Sequence, residues 1–259
     1  MTEPTAGEQP PDQAPDKSSG EAPEKSPEPA PPVVTVLLVR HGRSTSNAAG
    51  TLAGRTPGVD LDEHGRSQAA ALAGRLAGIP IHRLVCSPMD RCRQTVAPLA
   101  AALGLEVETD DRLLEVDYGS WSGRELKTLL QEPLWRVVQA HPSAAVFPDG
   151  EGLAEMSARA VEGVRAIRRA ATSDTTVLVC SHGDVIKAIL ADALGLHLDS
   201  FQRIVVAPAS VSVIRYTPLR PFVERVNDTG DPILPPAPGP AAPHSADHAS
   251  DAVPGGVTR

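Results

Sequence analysis

The chain has 259 residues, a formal net charge of −8, three cysteines and only 3% aromatic residues. The charge sits at the ends: residues 1–32 carry −5 and residues 221–259 carry −3, while the 20 basic and 20 acidic side chains between them cancel. A neutral body with acidic ends argues against nucleic acid or a membrane surface as the main partner.

Residues 1–32 are rich in Pro, Glu, Ser and Ala and nearly free of large apolar side chains. Such a segment cannot bury enough surface to offset chain entropy and is expected to be a disordered tail. The body begins at Val33. "VVTVLLV" (33–39) is short, β-branched and continuous, as expected of a strand buried on both faces. "EHGRSQAAALAGRLAG" follows, a helix with an apolar stripe at Ala69, Leu72, Ala73 and Leu76. "HRLVCS" (82–87) reads as a strand, "MDRCRQTVAPLAAALG" as a helix ending near Gly104, and "EVE" (106–108) as a short strand.

Between Asp110 and Gly152 the pattern is irregular. Helical pieces at 126–130 and 135–140 are interrupted by Pro133 and Pro142. "LAEMSARAVEGVRAIRRAA" (153–171) is an amphipathic helix. "TTVLVCSHGDVIKAILADALG" repeats the opening theme of strand, histidine and helix, and "RIVVA" (203–207) and "VSVIRY" (211–216) read as two final strands. Strands alternating with helices predict a single α/β domain over 33–220 around a mainly parallel central sheet. Residues 221–259, with "PPAPGPAAP" and "VPGG", are expected to be a second, mostly disordered Pro/Ala-rich tail.

Cys86, Cys92 and Cys180 form no CxxC pair, and an odd number suits reduced thiols better than a disulfide framework. The N-terminus lacks a basic-then-apolar leader, and no apolar run reaches membrane length, so a cytoplasmic location is the expectation.

In open α/β sheets, ligands gather outside the carboxyl ends of the strands. His41, Arg91 and His182 each follow a predicted strand, so the topology delivers them to one edge, with Arg40, Arg43 and Arg55 nearby. Guanidinium groups suit phosphate oxygens and disfavour a protonated imidazole beside them. A neutral histidine has a free ring nitrogen able to attack phosphorus, and phosphoryl transfer otherwise needs mainly positioning and charge stabilisation.

The segments "VRHGRSTSN", "AGRTPGVDLDEHGRSQA", "CSPMDRCRQT", "RLLEVDYGSWSG" and "CSHGDVIKAIL", in that order, resemble the histidine phosphatase superfamily, which includes phosphoglycerate mutase and many phosphatases. The nearest likeness is to bacterial members labelled probable phosphomutase. The resemblance implies a phosphoglycerate mutase-like fold, a mainly parallel central sheet with helices on both faces, and metal-independent chemistry with no cofactor. It makes His41 the nucleophile that becomes phosphohistidine and assigns Arg40, Arg91, His182 and Asn47 to its phosphate pocket. It also makes Glu115 the general acid that protonates the leaving oxygen and later helps activate water.

Rival residues stand beside several assignments. Arg93 competes with Arg91, and Asp117, Glu151 and Asp184 compete with Glu115; capping of the following helix is the alternative role for Asp184. Arg43 and Arg55 are further candidates for phosphate or substrate contact, with loop solvation as the alternative. His244 and His248, four apart in a Pro-rich stretch, are not read as a metal site, and the body contains neither a zinc ligand set nor a GxxxxGK[ST] loop.

The implied activity is hydrolysis of a small-molecule phosphomonoester. A phosphomutase is the alternative, and a non-catalytic phospho-ligand binding protein comes third; a homodimer is allowed for. The mutase reading would want paired basic residues after the "YG" segment, where only Arg124, Lys127 and Arg136 occur. Trp121, Leu134, Trp135, Val138 and Phe147 point to a partly apolar lid over the pocket, or to packing within the lid itself.

Overall fold

Successive residues of the first strand face two different cores, which is why its sequence is apolar without alternation. The computed structural model describes residues 1–2 and 30–232. Strand β1 (Val34–Arg40) sends Val36 and Leu38 into one core and Leu37 and Val39 into the other. The Leu37 side is covered by α2 (Glu63–Arg75) and α3 (Asp90–Leu103). The Val36 side is covered by α6 (Leu153–Arg169), α7 (Gly183–Leu194) and the short helices α4 (Leu126–Leu129) and α5 (Pro133–Ala140).

The remaining strands are β2 (Arg83–Cys86), β3 (Val107–Thr109), β4 (Thr175–Ser181), β5 (Val211–Tyr216) and β6 (Pro221–Asp228), and the order across the sheet is β3-β2-β4-β1-β5-β6. The first four in that order are parallel, while β5 pairs antiparallel with β1 and β6 antiparallel with β5. The expected architecture, a mainly parallel sheet with helices on both faces, is the one observed. No helix among the described residues is long and apolar enough to cross a membrane.

Two local expectations are corrected. "RIVVA" is not a strand: a 3-10 turn (Leu198–Arg203) runs into a loop in which Ile204 and Val206 are buried in the core that holds Val36 and Leu38. The loop's polar groups are bonded elsewhere, Val206 O accepting from Arg40 and Ala207 N donating to Asn227 Oδ1. The folded body also does not end at Arg220, since β6 pairs with β5 through Asp228. As an edge strand, with one of its neighbours being solvent, it carries little apolar signal. The tails expected beyond these limits, residues 3–29 and 233–259 with His244 and His248, lie outside the described residues.

Because β1 and β4 are neighbours with Arg40 opposite Ser181, their carboxyl ends release His41 and His182 side by side. The β2–β4 register sets Cys86 opposite Cys180, which brings Ser87 and the start of α3 to the same edge.

Candidate active site

At the end of β1 the chain passes Gly42, where any side chain is excluded: a Cβ would lie 2.7 Å from Gly65 O. Gly65 in turn approaches the Arg43 carbonyl so closely that a Cβ there would sit 2.0 Å from it. Thr95 Oγ1 accepts from Gly42 N (2.9 Å), fixing the loop to α3. His41 is therefore held on rigid backbone at the strand end.

His41 Nδ1 lies 2.7 Å from the Gly42 carbonyl, which can only accept, so Nδ1 carries the proton and Nε2 keeps its lone pair. Arg91 Nε donates to that Nε2 at 3.3 Å, and Arg91 Nη2 lies 3.1 Å from His182 Nδ1. A guanidinium can only donate, so His182 also turns a lone pair towards Arg91 and gives its Nε2–H to Ser87 Oγ, 2.8 Å away. The two imidazole centroids are 5.2 Å apart. Burial, then Arg91 and Arg40, hold His41 well below the usual histidine range. Burial and Arg91 lower His182 to about 3. Both rings are neutral at physiological pH.

Arg91 also donates to Gly54 O (2.9 Å), but its Nη1 is buried with no hydrogen-bond partner among the described residues. An unsatisfied buried donor costs roughly 1–3 kcal/mol, more when charged. An anion brought against Nη1 would recover that cost. The rival Arg93 is exposed on the outer side of α3.

Arg40 is fully buried, donates from Nη1 to Val206 O (2.7 Å), and is lowered by burial to about 10. Its charge is felt by both His41 and Glu115. Glu115 follows β3 and a 3-10 turn (Asp111–Leu113) that is tied to β4 by Ser181 Oγ donating to Leu113 O. Only 4% of Glu115 is exposed. Its Oε1 accepts from Val116 N (3.0 Å) and its Oε2 lies 4.0 Å from His182 Nδ1. Burial, reinforced by Asp184, raises its pKa to about 7.

The competing carboxylates are otherwise engaged. Glu151 is paired with Arg159 and Arg55. Asp117 Oδ1 accepts from Gly119 N. Asp184 does not cap α7; the N-cap is His182, and Asp184 accepts instead from Tyr118 OH (2.9 Å) and Lys187 Nζ (3.3 Å).

Other predicted residues are bonded to neighbouring protein groups. Asn47 Oδ1 accepts from Ser44 N in the capping box of α1 (Thr45–Ala49). Arg43 Nε bonds Asp62 Oδ2 at 2.6 Å, and Arg55 bonds the Glu115 carbonyl and Glu151. Trp121 stacks on Trp135 and meets Phe147 edge to face, and all three, with Val138, are buried in the core. They hold the lid segment together, and the pocket-facing alternative is set aside.

Sequence reasoning missed Ser87, Tyr118, Lys187 and Arg159. Lys187 had a signal: it is the one cation within the apolar run Val185–Leu190, three residues after Asp184, a spacing that pairs charges on one helix face. Among the described residues no group of three or more His, Cys, Asp or Glu side chains could hold a metal ion. Cys86, Cys92 and Cys180 are buried free thiols, with Cys92 Sγ 3.5 Å from His182 Nε2.

A family model described as Histidine phosphatase superfamily (branch 1) matches residues 36–229. Phosphoserine phosphatase 1 of Hydrogenobacter thermophilus is 32% identical over 200 residues, covering 76% of this chain and 93% of that protein. The probable phosphoglycerate mutase GpmB of Proteus mirabilis is 30% identical over 187 residues, covering 71% and 86%. Among solved structures, the alpha-ribazole phosphatase of Shigella flexneri is similar with a TM-score of 0.69 and 22% identity, covering 78% of this chain and 100% of that one.

Proposed function

The chain belongs to the histidine phosphatase superfamily (branch 1), and on that premise we propose how its residues hydrolyse a phosphomonoester. His41 Nε2 attacks phosphorus as the bond to the ester oxygen breaks, giving phosphohistidine. The departing oxygen takes the proton of Glu115. Water then attacks phosphohistidine, losing its proton to the Glu115 carboxylate, and inorganic phosphate leaves with His41 regenerated.

Arg91 and Arg40 supply fixed positive charge to the phosphoryl oxygens, and such preorganised charge is worth most in a buried site. His182, neutral and bonded to Ser87 Oγ and to Arg91, holds the Arg91 guanidinium in place beside His41. The observation that carries this reading is the Arg91 guanidinium, which donates to one nitrogen of each imidazole and keeps one buried nitrogen, Nη1, without a partner among the described residues. A Glu115 pKa raised to about 7 suits a group that must give a proton in one step and take one in the next.

The relative named phosphoserine phosphatase supports a small-molecule substrate. Hydrolysis is favoured over mutase action because two of the three lid cations are already spent: Arg124 is paired with Glu132 and Lys127 with Glu125. We assign the activity to residues 33–228, and the free buried thiols support a cytoplasmic location. The test is release of inorganic phosphate from a panel of phosphomonoesters, phosphoserine and p-nitrophenyl phosphate included, in excess chelator. Turnover is expected to persist; a chelator-dead enzyme restored by metal would overturn the mechanism.

A further inference from the structure

We infer that Arg159 is the positioning residue that sets the general acid in place. The inference rests on the reading of Glu115 given above. Glu115 sits in an irregular segment, outside helix and sheet, where the ladder bonds that normally fix a catalytic side chain are missing. Its backbone is held from α6 instead. Arg159 Nη1 donates to Arg112 O (2.9 Å) and Leu114 O (2.6 Å), and Nη2 donates to Glu115 O at 3.0 Å. The remaining donors meet Glu151, Nε at Oε2 (3.0 Å) and Nη2 at Oε1 (2.5 Å).

A guanidinium has five N–H groups, and this one spends all five on three backbone carbonyls and one carboxylate. None is left for substrate, so Arg159 acts on the reaction only through the segment it grips. Glu151 completes the clamp: its Oε1 also accepts from Asp117 N (2.9 Å) and Arg55 Nη2 (2.9 Å), and Arg55 Nε donates to Glu115 O as well. The backbone on both sides of Glu115 is thus pinned by one Arg159–Glu151–Arg55 group. The planar fork matters, because a lysine offers three donors from a single point and cannot reach the same acceptors together.

The experiment compares two leaving groups in the full chain. Wild type, Glu115→Gln, Arg159→Lys and the Glu115→Gln/Arg159→Lys pair are assayed for turnover of the fastest alkyl phosphate in the panel and for first-turnover nitrophenol release from p-nitrophenyl phosphate. General acid help is worth about 10²- to 10⁴-fold, so a displaced acid in Arg159→Lys should lower the alkyl-to-aryl ratio about tenfold or more. Aryl transfer itself should stay within a few-fold. In the Glu115→Gln background the Arg159 substitution should leave the ratio unchanged, since residues acting as one unit are not additive.

A ratio unchanged in Arg159→Lys, with Glu115→Gln still lowering it, overturns the role of Arg159 alone. Equal falls on both substrates, or additive falls in the double variant, overturn it too. A ratio unmoved by Glu115→Gln removes the underlying assignment of the acid and this inference with it. Should Arg159→Lys not fold by circular dichroism, Arg55→Gln decides through the same ratio: a fall supports the clamp, and no change overturns it.

Discussion

Replacing Glu115 by Gln removes a proton donor and little else. Glutamine has the same shape, and its carbonyl oxygen can keep the 3.0 Å bond from Val116 N that the carboxylate now accepts. What is lost is a buried acid whose pKa of about 7 lets it be protonated for departure of the ester oxygen and ionised for the attack of water. General acid catalysis contributes about 10²- to 10⁴-fold, or about 3 to 5 kcal/mol of barrier at 1.36 kcal/mol per tenfold. That loss should fall on alkyl phosphates, whose alkoxide leaves poorly, and largely spare p-nitrophenyl phosphate, whose phenolate is already stable. Single-turnover release of nitrophenol is the clean assay, because dephosphorylation by the same carboxylate does not enter it. The wild-type alkyl reaction should also slow as pH rises through about 7, its acid falling from about nine-tenths protonated at pH 6 to about one-tenth at pH 8. Glu115→Gln should abolish that limb. Equal first-turnover losses on alkyl and aryl esters would refute the assignment and move attention to Asp117.

The buried histidines give a second expectation: with His41 far below the usual range and His182 near 3, first-turnover nitrophenol release should have no inflection near pH 6.5, and a midpoint there in a stopped-flow pH series would contradict their neutrality. With 3-phosphoglycerate and its bisphosphorylated activator, phosphate release should exceed 2-phosphoglycerate formation by product analysis; fast isomerisation would reverse the ranking of hydrolase over mutase. A chain trimmed to residues 30–232 should keep turnover within a few-fold, whereas one ending at Arg220 should lose both melting temperature and turnover. The second cut removes β6 and with it Asn227, whose Oδ1 holds the loop that gives Val206 O to Arg40. Gly65→Ala, which drives a Cβ to 2.0 Å from Arg43 O, should cost about 1–3 kcal/mol in denaturant unfolding; an unchanged midpoint would show that the loop yields freely.

The sheet was legible wherever both faces of a strand are buried, because "VLLV" and "VLVC" must then be apolar at every position. It was illegible at β6, where "PFVERVND" opens on proline and buries none of its residues fully. "RIVVA" misled for the opposite reason: Ile204 and Val206 are apolar because they plug a core, yet the segment has no strand to pair with. The members of the site at strand ends, His41, Arg91 and His182, could be read because topology alone brings them to one edge. Arg43 and Arg55 could not, since a loop arginine looks the same in sequence whether it faces a ligand or grips Asp62 and Glu151. Arg159 was hidden on the polar side of an amphipathic helix, where a solvated cation is the ordinary expectation and only three-dimensional placement reveals its five bonds.

The phosphohistidine itself is the central claim, and its direct measurement is a rapid quench with a phosphate ester radiolabelled on phosphorus. The wild-type protein should carry label that survives a basic quench and is lost in acid, as expected of a phosphorus–nitrogen bond, and His41→Ala should carry none while keeping its circular dichroism spectrum. Label persisting in His41→Ala, or label stable to acid, would contradict the account.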